Sequence, residues 1–117
     1  MEQKLSIVRG RTETIHITMT DASGNAYVLG NEEKLIFGVK KNYYDASYLI
    51  KKTLTIHDVS STPGTYILTL KPEDTQYLRC DKYFYDVGLQ SGNDYYTVIE
   101  CSHFILERNV TIREVTI

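Results

Sequence analysis

The sequence predicts an all-β domain, a sandwich or small barrel of seven to nine strands. Three observations carry that prediction. Val (8), Ile (11), Thr (13) and Tyr (10) supply 42 of the 117 residues, while Ala contributes only 3 and Trp is absent. β-branched and aromatic side chains suit a pleated, half-buried surface, and scarce Ala argues against helix. Apolar residues alternate with polar ones along most of the chain, and turn signals recur roughly every 8–12 residues, the spacing of a sandwich or barrel.

Leu5 to Val8 is a short apolar run. Thr14 to Thr20 alternates, with Ile15, Ile17 and Met19 on one face and Thr14, His16, Thr18 and Thr20 on the other. Asp21 to Asn25 is a turn around Gly24, and Tyr27 to Leu29 resumes a short extended piece. Lys34 to Lys41 is the next strand, turning Leu35, Phe37 and Val39 inward. Asn42 to Ser47 is a polar loop bearing tyrosines. Tyr48 to His57 is expected as a strand with Ile50, Leu54 and Ile56 inward.

Ser60 to Gly64 breaks the chain again. Thr65 to Lys71 follows, with Tyr66, Leu68 and Leu70 on one side. Residues 72–78 form the one expected helical turn, with Pro72 at its first position and Glu73 and Asp74 in its acidic start. Lys82 to Gln90 alternates with Tyr83, Tyr85, Val87 and Leu89 inward. Ser91 to Asp94 is a hairpin loop containing Gly, and Tyr95 to Leu106 is its partner strand. Val110 to Ile117 is a last alternation, with a phase slip near Arg113-Glu114.

The length fits one domain, residues 1–117, large enough to bury a core without staples. Thirteen basic against fifteen acidic side chains give a net charge of −2, too balanced for a protein that tracks phosphate backbones, so no nucleic-acid partner is expected. No run approaches the 18 or so apolar residues of a membrane span, so no membrane insertion is expected. Met1 to Ile7 lacks the layout of a signal peptide, which points to synthesis in the cytoplasm. On that footing Asn109-Val110-Thr111 matches the glycosylation pattern by chance.

If the hairpin turns at Gly92-Asn93, residue 85 faces about 100, and Cys101 lies near Phe84. Cys80 and Cys101 are then separated by about 13 Å along the ladder. A disulfide tolerates no more than roughly 7 Å between Cα atoms, so two thiols are expected.

No catalytic, cofactor or metal site is predicted. His16, His57 and His103 fit no metal-ligand spacing. Cys101 and His103 are two apart on one strand, too far for a nucleophile–base pair. Glycines are scattered rather than gathered in a phosphate loop, and Glu32-Glu33 and Glu73-Asp74 are adjacent acids of the kind that cap or face water. What remains is tyrosine. Tyr43, Tyr44, Tyr48, Tyr95 and Tyr96 gather in two loop regions and form the candidate binding surface, since Tyr offers a large rigid face with a polar tip.

Three stretches carry a family resemblance. Gly64-Thr-Tyr66-Ile-Leu68-Thr-Leu70-Lys-Pro72-Glu-Asp74-Thr75 resembles the G-x-Y-x-L-x-L-x-P-x-D-T run of immunoglobulin-like domains. Tyr83-Phe-Tyr85-Asp86-Val-Gly88-Leu-Gln90 is similar to the Y-x-Y-D-[IV]-x-L strand of phage tail and baseplate modules. Tyr96-Thr-Val98, Phe104-Ile-Leu106 and Asn109-Val-Thr111 resemble their closing strand, although Cys101 stands where such modules carry Gly at a bulge. Upstream, the Asp21 to Gly24 turn, Leu29-Gly30 and Phe37-Gly-Val-Lys40 also fit. Over residues 12–112 the order resembles the immunoglobulin-like domain of upper-baseplate or tail-fibre proteins in phages and prophages of Gram-positive bacteria.

The resemblance implies a single immunoglobulin-like β-sandwich with antiparallel strands and Greek-key connections. It implies a structural tyrosine motif, Tyr66, Tyr83 and Tyr85, in which Tyr83 or Tyr85 bonds back to the backbone of the Glu73-Asp74-Thr75 turn. It implies a non-enzymatic tail or baseplate module, assembled in the bacterial cytoplasm and then carried on the virion tail. Its partners would be other tail or baseplate proteins or a second copy of the chain. The alternative is a module that binds a carbohydrate or host surface through its tyrosine-rich loops. The expected core is Ile15, Ile17, Leu35, Phe37, Val39, Ile50, Leu54, Tyr66, Leu68, Leu70, Tyr85, Val87, Val98 and Phe104.

Overall fold

In the computed structural model, which describes residues 3–108, seven strands form two sheets. They are β1 (Leu5–Val8), β2 (Glu13–Thr18), β3 (Glu33–Lys40), β4 (Ile50–Leu54), β5 (Thr65–Leu70), β6 (Lys82–Ser91) and β7 (Asp94–Glu107). The larger sheet has the order β1-β7-β6-β3-β4, and the smaller pairs β2 with β5. The expected strand Val110 to Ile117 lies outside the described residues.

Period-2 alternation decides which face each strand buries. In β3 it turns Leu35, Phe37 and Val39 inward, and in β6 Tyr83, Tyr85, Val87 and Leu89. In β5 it does the same for Tyr66, Leu68 and Leu70. Ile17 of β2 and Phe104 of β7 complete a core shared by both sheets. At its centre Phe37, Tyr85 and Phe104 pack pairwise, with centroids 5.6 to 6.4 Å apart in tilted and edge-on geometries. Ile15 and Val98, expected in the core, are only half-buried against it. The core also takes in Ile7, Met19, Leu29, Tyr83, Leu89 and Leu106.

Four expectations are corrected. First, the strands are not all antiparallel, because β1 runs parallel to β7, with Leu5 opposite Phe104. The two lie at opposite ends of the described chain, so no tight hairpin forces them to oppose. Second, Tyr27 to Leu29 is not a strand. Its neighbourhood holds one isolated bridge, Thr20 to Ala26, and the Leu29 N–H bonds the Tyr66 hydroxyl at 2.8 Å instead of a ladder partner.

Third, the strand expected from Tyr48 to His57 shrinks to Ile50–Leu54, and Ile56–Asp58 turns as a 3-10 helix. Thr55 and Asp58 cap that turn reciprocally: the Thr55 hydroxyl accepts from the His57 N–H, and the Asp58 carboxylate accepts from the Thr55 N–H at 2.8 Å. Fourth, the hairpin register slips. β6 residues Lys82 to Ser91 are paired over a longer span of β7, Asp94 to Ile105, so β7 carries extra residues as bulges. Leu89 still faces Tyr96, but Tyr85 faces Ser102 rather than residue 100, and Phe84 faces His103.

The helical turn is α1 (Pro72–Thr75), and the Asp74 carboxylate accepts the Lys71 N–H at 2.7 Å. Three core tyrosines spend their hydroxyls on backbone. Tyr66 donates to the Tyr27 carbonyl at 3.0 Å while accepting from Leu29. Tyr83 donates to the Arg79 carbonyl at 2.5 Å, four residues upstream as in a tyrosine corner, rather than to the expected Glu73-Asp74-Thr75 turn. Tyr85 donates to the Gln3 carbonyl and so ties the N-terminal segment to the sheet.

Candidate functional site

The outer face of the larger sheet is where the loop tyrosines meet. The alternation that buries Phe37 and Val87 leaves Gly38, Lys40, Phe84, Asp86 and Gly88 on that face. Gly38 lies directly opposite Asp86 in the ladder. A strand-interior glycine often marks a close approach by another group, and both glycines do so here. A Cβ on Gly38 would overlap the ring of Tyr48, and one on Gly88 would overlap the hydroxyl of Tyr95. The two tyrosines therefore lie down on the sheet across gaps that only glycine provides.

The connection between β3 and β4 supplies the other wall. Asn42 and Asp45 close it on themselves, the Asp45 carboxylate accepting the Asn42 N–H at 3.0 Å. The Leu49 N–H returns to the Val39 carbonyl at 2.7 Å. This folds Tyr43 back, edge-on to Phe84 with centroids 5.8 Å apart. Gly38, Lys40, Tyr43, Tyr48, Phe84, Tyr85, Asp86, Tyr95 and Cys101 then enclose a pocket of about 270 Å³. Cys101 reaches the rim because a register irregularity lies between the Tyr85 and Val87 pairings, where β7 runs from Ile99 to Ser102.

Asp86 sits at the floor. Burial pushes its carboxyl above the ordinary value, and the nearby Lys40 charge offsets this only in part. Among the described residues it accepts no hydrogen bond and forms no ion pair. Burial likewise raises the Tyr95 hydroxyl, helped by the charges of Asp86 and Tyr48. The Lys40 ammonium lies 4.8 Å from the Tyr48 ring centroid and that of Lys51 5.6 Å.

The structure brings together three of the five candidate surface tyrosines: Tyr43, Tyr48 and Tyr95. Tyr44 packs edge-on to Tyr43 at 5.3 Å but does not line the pocket. Tyr96 is turned away. It pairs with the inward-facing Leu89 and lies within electrostatic reach of Tyr27 at another part of the surface. Gly38, Lys40, Phe84, Asp86, Gly88 and Cys101 were not singled out as binding residues. The sequence signal that could have found them is the pair of outward glycines inside β3 and β6.

His16 is exposed on β2, His57 is exposed in the 3-10 turn, and His103 packs on Phe84 with centroids 5.2 Å apart. Among the described residues no three His, Cys, Asp or Glu side chains gather as a metal site, and no disulfide joins Cys80 to Cys101. No described helix is long and apolar enough to cross a membrane.

The strand order, the tyrosine corner and the pocket define a mostly antiparallel, two-sheet β-domain with an aromatic site on the outer face of its larger sheet. No protein-family model and no curated protein matches this chain. Among solved structures it is similar to the ZIG-8–RIG-5 IG1–IG1 heterodimer in its monoclinic form. The identity is 11% and the TM-score 0.43, with 92% of this chain and 83% of that chain covered.

Proposed function

We propose that the protein is a non-enzymatic binding module that holds a carbohydrate, on a host surface, in the pocket floored by Asp86. One observation carries this reading: Tyr43 and Tyr48 from the β3–β4 loop and Tyr95 from β7 converge with Phe84 around a half-buried carboxylate that accepts no hydrogen bond among the described residues. Aromatic faces offer apolar area to the C–H side of a sugar ring, and a half-buried carboxylate accepts from its hydroxyls. The volume, about 270 Å³, suits one or two sugar units rather than a large ligand.

The strand motifs shared with phage baseplate and tail-fibre modules support a setting. In it, residues 1–117 form one Greek-key sandwich, made in the bacterial cytoplasm and mounted on a virion tail beside other tail proteins or further copies. Host-surface binding is a task that fits such a setting.

The test is a glycan array probed with the wild-type protein and with Tyr43→Ala and Tyr95→Ala. Each variant removes an exposed wall of the pocket and should lower binding at least tenfold without unfolding the domain. Absence of any glycan signal, or signal that both variants leave intact, refutes the reading.

A further inference from the structure

We infer that the ligand selected by this pocket carries a positively charged ammonium group, held against Asp86 within the ring of Tyr43, Tyr48, Phe84 and Tyr95. The inference rests on the binding reading above and names the chemistry of its ligand.

Asp86 stands on an interior strand of the sheet, on the face that carries the pocket. Gly38 opposite it on β3 and Gly88 two residues along β6 carry no side chain to meet it, and the Lys40 charge offsets its burial only in part. The β3–β4 loop and β7 lay tyrosine rings beside it rather than arginine or serine. Even partial withdrawal of a carboxylate from water is costly without a hydrogen bond, and burial already raises the Asp86 pKa. A cation is its strongest available partner.

The walls select the same charge. An aromatic face carries negative quadrupole potential and attracts ammonium groups, most strongly where water is excluded. The site already displays this preference, since the ammonium groups of Lys40 and Lys51 both lie over the Tyr48 ring. An anionic ligand would meet Asp86 and four electron-rich rings with only Lys40 in the lining to receive it. Two sources share the required chemistry: an amino sugar with a free amine, and a quaternary ammonium such as choline.

The test is a titration of the ¹⁵N-labelled protein, followed by amide chemical shifts, with two matched pairs of probes. One pair is glucosamine and N-acetylglucosamine; the other is choline and its neutral carbon isostere, 3,3-dimethylbutan-1-ol. The cationic member of at least one pair should bind about tenfold or more tightly than its neutral partner, with shifts centred on Gly38, Asp86 and Gly88. Asp86→Asn should abolish that difference while keeping the spectrum folded. The wild-type comparison stands even if the variant does not fold.

A preference for glucosamine alone assigns the amino sugar, and a preference for choline alone assigns the quaternary amine. Equal affinity within both pairs overturns the ammonium inference but leaves the carbohydrate reading standing where N-acetylglucosamine binds. Choline binding without any sugar binding upholds the inference and sinks the carbohydrate reading. Binding by none of the four overturns the inference, and the glycan array then judges the wider reading separately.

Discussion

Tyr66→Phe tests how the fold holds the segment between β2 and β3. The Tyr66 side chain is 0% exposed, and its hydroxyl bridges two backbone groups of an otherwise unladdered stretch. It accepts from the Leu29 N–H at 2.8 Å and donates to the Tyr27 carbonyl at 3.0 Å. Phenylalanine keeps the ring, so no large cavity opens. What changes is that both partners lose their bond. Leu29 is buried, so its N–H pays the full penalty of an unmet donor, about 1–3 kcal/mol. Tyr27 is half-buried, and its carbonyl regains water more easily.

The expected loss for Tyr66→Phe is about 2 kcal/mol, or a fall in Tm of roughly 8 °C for a domain of this size. Urea unfolding followed by far-UV circular dichroism, with an unchanged m-value, measures it. Tyr83→Phe is the internal control. It removes one bond, to the carbonyl of exposed Arg79, and should cost about 1 kcal/mol. A Tyr66→Phe loss below about 0.5 kcal/mol, or one smaller than that of Tyr83→Phe, refutes the reasoning.

Other consequences can be measured on the same protein. Gly88→Ala should push the Tyr95 hydroxyl off the sheet; because Tyr95 is exposed and can swing, stability should fall by less than about 1 kcal/mol while pocket binding weakens severalfold in the titration above. Glu33 is held below its ordinary pKa by the Gly30 N–H, then by the Tyr27 hydroxyl, so its stabilisation is present above pH 4.5 and disappears as pH falls through the folded value. Glu33→Gln should cost about 1 kcal/mol at pH 7 and flatten the acid limb of the stability curve; an unchanged acid limb would count against this clamp. Asp86 has the opposite sign. Its folded pKa is raised above 3.8, so the unfolded chain ionises first as pH rises, and stability falls across the window up to the folded value and stays lower beyond it. Asp86→Asn should therefore leave the urea midpoint at pH 7 unchanged or higher, and a clear drop would show that the carboxylate has a stabilising partner.

Much of the fold was legible in the chain because strand burial is a local property. Alternation with period 2 turns Leu35, Phe37 and Val39 to one side whatever lies opposite them, and it assigned the inward faces of β3, β5 and β6. Pro72 with its acidic turn was readable for the same reason, since a helix start depends on neighbours a few residues away. Local rules misled where two local options compete. Thr55 and Asp58 could extend a strand or cap a turn, and in the structure they cap the 3-10 turn that follows β4.

The pocket shows where the sequence stops. Tyr95 and Tyr96 are expected on one candidate surface, whereas as adjacent strand residues they face opposite sides. Which of them meets Tyr43 and Tyr48, more than forty residues earlier in the chain, depended on the pairing of β3 with β6 and β7. The bulges of β7 moved Tyr85 from opposite residue 100 to opposite Ser102 and brought Cys101 to the rim. A one-residue slip inverts a face; the family resemblance marked a bulge at Cys101, but the second irregularity, between the Val87 and Gly88 pairings, had no mark in the sequence. Composition and periodicity thus determined a β-rich, tyrosine-bearing domain, because burial on a strand is decided residue by residue. The joining of Asp86, two glycines, two loop tyrosines and Tyr95 of β7 into one site was decided by register between distant strands, a long-range property that only the tertiary structure holds.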